Sequence, residues 1–193
     1  MYAEGGKLSG ECGQVDIVIS MFLFLLILLV AMFQFKAYVY MAAGAYVEDA
    51  LAVSDLASAL IDVEEYGRSH TIQIADTEAA FRIYRDALWR NLALDDTGQS
   101  SATELLVGNV QICEYIVYNV QDNQVQIIGY DGEGKCTQEN TGIRGAVYTP
   151  DGKLVEHTTI YSRIGFQVPG LSGHSIAAEK EKSVDITRYE SEK

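Results

Sequence analysis

From Ile17 to Phe35 the chain runs IVISMFLFLLILLVAMFQF, and this stretch limits what the rest can be. Ser20 and Gln34 are its only polar residues, and from Met21 to Phe33 there is none. A helix rises about 1.5 Å per residue and the hydrocarbon core of a bilayer is about 30 Å thick, so a run of this length just spans it. The buried helix of a soluble domain rarely needs apolar side chains on every face. That leaves a membrane helix or a secretion signal. A signal has a basic start, an apolar region of about 7 to 15 residues and a small-x-small cleavage site. The run here is longer, and Lys36 and AYVYMAAGA follow it without a strong helix breaker. Ala43 and Ala45 form a nominal A-x-A, and cleavage there would release a domain starting at Tyr46. The membrane helix is the stronger reading.

With 193 residues, the chain has room for that helix and one further domain. The formal charge is −13, and nearly all of it lies beyond the apolar run. Glu4, Glu11, Asp16, Lys7 and Lys36 are the only charges up to residue 36, which leaves 24 acids against 12 bases in the remainder. Such a domain repels phosphate, so neither nucleic acid nor anionic lipid suits it as a partner. A solvated surface or a cationic partner does. Lys7 and Lys36 flank the run almost evenly, so basic residues do not orient it.

Of the three cysteines, Cys12 precedes the run, and Cys113 and Cys136 follow it. In an oxidising compartment Cys113 and Cys136 are candidates for a disulfide, which would stabilise by about 3 kcal/mol for a loop of this order. Free thiols are the alternative. No C-x-x-C occurs to suggest zinc or redox chemistry.

The first sixteen residues, MYAEGGKLSGECGQVD, are polar and glycine-rich, and end on Asp16 at the edge of the run. A carboxylate there can mark the membrane boundary and cap the helix N-terminus. The block Gly10-Glu11-Cys12-Gly13-Gln14-Val15-Asp16, followed by Ile17 to Phe35, resembles the type IV pilin-like proteins, and among them the TadE-like pseudopilins of tight-adherence pili. The Val15-Asp16 pair looks like that family's Val-Glu. The resemblance implies cleavage of a short leader by prepilin peptidase, after Gly10 or Gly13. It also implies that Asp16 is the assembly carboxylate, pairing with the new ammonium of a neighbouring subunit. Cleavage after Gly10 would make Asp16 the sixth residue and cleavage after Gly13 the third, whereas the family's acid is the fifth. The proline that many relatives carry within the run is absent.

Beyond Lys36 nothing but Gly44 interrupts a helix before about Glu65. Val39, Tyr46, Val53 and Leu60 recur every seventh residue, with Ala42, Leu56 and Val63 in the companion slots and Asp49 as the exception. Ala43, Ala50 and Ala57 widen this expected packing face, and Glu48, Asp55 and Asp62 line the opposite one. Gly67 is placed to end the helix. A second helix is expected from Asp76 or Thr77 to about Leu94, with Phe81, Tyr84, Leu88 and Leu92 on its buried side. Its cluster Arg82, Arg85 and Arg90 can meet the acidic face of the first helix or stay solvated.

From Glu104 the pattern turns to strands. Val110 to Val120 and Val125 to Tyr130 flank a turn at Asp122-Asn123 and predict a hairpin. Asp131 to Gly134 is a turn, Thr141 to Tyr148 and Leu154 to Thr158 are short strands around Pro150-Asp151-Gly152, and Ile160 to Val168 alternates with period two. A last strand is expected at Val184 to Arg188. This ending, with Pro169-Gly170-Leu171 before the last strand, also resembles the TadE-like group.

No catalytic constellation emerges. His70, His157 and His174 lie in separate segments, and there is no G-x-S-x-G or dinucleotide loop. Asp131 and Glu133 could hold calcium only weakly, since EF-hand spacing is absent. The sequence therefore predicts an α+β protein without cofactor: leader 1–16, transmembrane helix 17–35, extracytoplasmic helical region 36–103 and antiparallel β domain 104–193. The expected partners are the lipid bilayer, other pilin-like subunits and pilus assembly machinery. The expected work is structural, as a minor pilin or pseudopilin at the cell surface. An anchored ligand-binding or sensor domain is the alternative.

Overall fold

The computed structural model describes residues 10–100, 105–170 and 173–187, with side chains from Asp16 onward. The first nine residues of the expected leader, and Leu171 and Arg188, lie outside the described residues. Contacts divide the chain into two compact units, with the boundary between Met41 and Ala42.

The first helix, α1 (Gly10–Ser58), contributes to both units. In the first unit every residue from Asp16 to Phe35 is exposed, and this is the single stretch among the described residues long and apolar enough to cross a membrane. The chain thus carries one candidate membrane span near its N-terminus.

The second unit is α+β. It contains the later part of α1, then α2 (Val63–Ser69), α3 (Thr77–Asn91) and five strands: β1 (Gln111–Gln121), β2 (Gln124–Tyr130), β3 (Cys136–Ile143), β4 (Thr159–Pro169) and β5 (Ser175–Asp185). The strands form one antiparallel sheet in the order β3-β2-β1-β4-β5. The predicted β1–β2 hairpin is present, with Asp122 in the left-handed region at φ 52° as a tight two-residue turn requires. α3 starts where its capping residue predicts, with the Asp76 carboxylate accepting the Ala79 N–H at 2.7 Å. Phe81, Tyr84, Leu88 and Leu92 are all buried. Its arginines are solvated: Arg82 pairs with Glu78 and Arg85 with Asp86, on their own helix.

Sheet parity gives each face its own core. Tyr115 and Tyr130 are register partners and meet Phe81 and Tyr84 of α3, with Phe81 to Tyr130 stacked at 5.6 Å and Tyr84 to Tyr115 at 4.7 Å between ring centroids. The neighbouring positions Ile116, Tyr118 and Val120 point the other way, where they cluster with Val125, Val155 and Tyr161. Gly134, at φ 82°, fits against the Phe81 ring, which a side chain there would strike at 2.8 Å.

Four expectations are corrected. α1 stops at Ser58 rather than near Glu65, because the chain beyond it leaves to bridge Ile61 to Ile74 and Asp62 then caps α2, accepting the Glu65 N–H at 2.9 Å. α2 ends at His70, in the left-handed region, and Gly67 sits inside it. The strand expected at Thr141 to Tyr148 lies earlier, as β3, and Leu154 makes only an isolated bridge to Tyr148. The last strand begins at Ser175, not Val184. Its core, AEKEK, carries the charges of a solvated segment, yet an edge strand tolerates them because one side faces water.

Candidate functional site

Asp16 is exposed at the start of the apolar run. It does not cap α1, which begins six residues earlier at Gly10, so the carboxylate lies on the helix wall. Gly13 falls in the first turn of the same helix. From Ile17 to Phe35 the large apolar side chains are between 45 and 69% exposed.

The candidate Cys113–Cys136 bond is absent, and among the described residues both thiols are free and exposed. Cys113 stands on β1 and Cys136 on β3, with β2 between them. Two strand spacings separate their backbones by about 9 to 10 Å, beyond the roughly 7 Å that a disulfide can bridge.

The packing face of α1 in the second unit keeps Ala43 and Ala50 of the expected one and is otherwise rotated away from the heptad stripe. Ala43, Val47, Ala50, Leu51, Ser54, Asp55 and Ser58 are buried, whereas Val53, Leu56, Leu60 and Val63 of the heptad stripe are exposed. Small residues admit close approach, and three polar contacts fix it. The Tyr46 hydroxyl donates to the Asn91 carbonyl at 2.7 Å, and the Asn91 amide donates to Ser54 Oγ at 3.0 Å. Ser58 Oγ lies 2.9 Å from the Tyr115 hydroxyl.

Asp55, which the pattern puts on the solvent face, is fully buried. Its Oδ2 accepts a hydrogen bond from Ser162 of β4 at 2.9 Å. Among the described residues Oδ1 has no hydrogen-bond partner, and neither does the buried hydroxyl of Tyr84. Loss of hydration pushes the carboxyl well above the usual carboxylate range, and the Ser162 hydrogen bond and the charge of Lys182 only partly oppose this. The same burial raises the hydroxyls of Tyr84 and Tyr115, with Asp55 adding to both. Two turns earlier, Glu48 behaves oppositely. Hydrogen bonds from Lys182 at 2.8 Å and Lys180 at 2.9 Å hold it down to about 2. These contacts tie α1 to β4 and β5.

Two of the three histidines, from segments far apart in the chain, share a site. His70 and His157 line an open cavity of about 540 Å³ with Arg144, Asp122 and Glu156, over apolar Val120 and Ile186. Glu156 reaches it because residues 156–158 do not form the expected strand. At the calcium candidate, Asp131 Oδ1 accepts the backbone N–H groups of Glu133 and Lys135, closing its own turn. Among the described residues no group of three or more His, Cys, Asp or Glu side chains is placed to hold a metal.

A signal for the α1 face was available: 43, 47, 50, 54 and 58 follow helical spacing. The larger side chains of the neighbouring stripe obscured it. For Asp55 there was none, since Ser162, whose hydroxyl bonds its carboxylate, is 107 residues away. Compared with known protein families, curated proteins and solved structures, the chain has no match.

Proposed function

We propose that this chain is a membrane-held structural subunit of the pilin-like kind, similar to the TadE-like pseudopilins, which enters a pilus or secretion assembly by packing its apolar helix against others. One observation carries the reading: α1 presents apolar side chains on every side from Ile17 to Phe35, yet later buries one face in its own α+β unit. A tether needs only the first property. A subunit that assembles through its helix needs an exposed apolar segment on the same helix that its domain packs against. Asp16 then sets register: a carboxylate drawn toward lipid is disfavoured by about 2.5 to 3.5 kcal/mol at mid-bilayer, and a cationic partner relieves this. Removal of a leader after Gly10 or Gly13 by a prepilin peptidase would supply that cation as a new ammonium.

Fractionation, native mass and the variant Asp16→Ala test the reading together. The chain should sediment with membranes, start at Glu11 or Gln14, and lose incorporation into sheared surface material when Asp16 is replaced, while its membrane fraction stays unchanged. Recovery of the native chain as a freely soluble protein would end the proposal. The cavity lined by His70, His157 and Arg144 favours a second reading, an anchored ligand-binding domain. In that case Asp16→Ala has no effect and His70→Ala with Arg144→Ala abolishes function.

A further inference from the structure

The two edges of the sheet are built differently. β5 carries Glu179, Lys180, Glu181, Lys182 and Asp185, the charge pattern that discourages strand pairing. β3, CTQENTGI, carries one charge in eight residues, Glu139, and no proline. It pairs with β2 on one side only. On the other side no backbone group of Thr137–Gly142 pairs with a described residue, apart from the Cys136 thiol that donates to the Gln138 carbonyl at 3.5 Å. Side chains stand largely exposed along the strand, and the following segment packs Val147 against Gly142 on one face, leaving the edge itself unpaired among the described residues.

We infer that the free edge of β3 pairs with the same edge of a second copy, joining two five-stranded sheets into one. Antiparallel self-pairing has its twofold axis perpendicular to the sheet, so each face of one copy continues into the same face of the other. Facing residues must then share parity. An axis through residue 139 would set Glu139 against Glu139, which like charges oppose. An axis through residue 140 sets Asn140 against Asn140, Glu139 against Thr141 and Gln138 against Gly142, using residues 137–143 with no like charges opposed. Asn140 side chains both donate and accept, so they complement each other across the axis. This register keeps the longest pairing that opposes no like charges, and it does not depend on the pilin reading.

The test uses the full chain in detergent micelles, with Cys12, Cys113 and Cys136 replaced by Ser. Asn140→Cys should be joined into a covalent dimer by a short bismaleimide, and Asp96→Cys, an exposed loop position, should not. In the Asn140→Cys background, Thr141→Lys sets two symmetric Glu–Lys pairs across the axis and should lower the dissociation constant about five- to tenfold. Thr141→Glu should raise it by a similar factor, and Glu139→Lys with Thr141→Glu should restore pairing. All these positions are exposed, so the fold is spared. Equal cross-linking of Asn140→Cys and Asp96→Cys would overturn the inference, as would Thr141→Lys and Thr141→Glu shifting the dimer in the same direction.

Discussion

The two parts of α1 share a backbone and meet opposite surroundings. From Ile17 to Phe35 the helix is apolar all round and exposed, whereas from Ala43 to Ser58 it buries a narrow face that sets small and polar side chains, including a whole carboxyl group, beside Val47 and Leu51. Bulk hydrophobicity therefore does not decide which part enters the protein core. The most apolar stretch stays outside, and Ala, Ser and Asp go in beside Val47 and Leu51, because a helix lying on a sheet needs close approach as well as apolar side chains.

The comparison breaks most readily at the first part. Leu26→Arg with Leu29→Arg should disfavour insertion by about 2.5 to 3.5 kcal/mol for each residue, and move the chain out of the membrane pellet. Unchanged sedimentation would mean that this part is not in lipid. Next comes the choice of face in the second part. Leu51→Ala should destabilise by about 2 to 5 kcal/mol in denaturant unfolding, since Leu51 is fully buried. Leu56→Ala, five residues on and 55% exposed, should stay within about 0.5 kcal/mol. Equal losses would restore the heptad face.

Asp55 sharpens the comparison further. Its folded carboxyl titrates above its unfolded one, so the folded state holds the extra proton between those two values. Stability from this group is full below about pH 4 and falls as pH rises toward the folded value. Asp55→Asn keeps the shape and cannot ionise. Unfolding measured across pH should show the variant gaining on the parent as pH rises from 4 to 7, and parallel curves would refute a raised carboxyl. Glu48 gives the smallest and opposite effect. Held near 2, it contributes above about pH 4 and loses that contribution as pH falls toward 2. Its lysine pairs are partly exposed, so Glu48→Gln should lose less than about 1 kcal/mol, and less still at high salt.

Legibility in the sequence followed the range of the interactions. α3 was readable because its cap, Asp76, and its stripe, Phe81 to Leu92, lie within a few turns of each other. The β1–β2 hairpin was readable because Asp122-Asn123 closes it locally. β5 was not, since alternating Lys and Glu suit both a solvated loop and a sheet edge, and only the eleven-residue register with β4 distinguishes them. Cys113 and Cys136 were candidates for a disulfide on compartment alone, and strand order keeps them apart. At the candidate assembly site the sequence marked Asp16 and the apolar run, while the cavity at His70 and His157 depends on segments that meet only in the fold.

By itself the sequence determined where this chain can meet lipid, because nineteen neighbouring residues with two polar side chains need no distant partner to exclude water. It also determined the α+β class, through periodicities that are properties of single segments. Only the tertiary structure decided which side of α1 faces inward, which strand lies at each edge and that Asp55 loses its water. Those outcomes depend on side chains such as Ser162 and Lys182, more than a hundred residues away, and burial is set by whatever neighbour arrives.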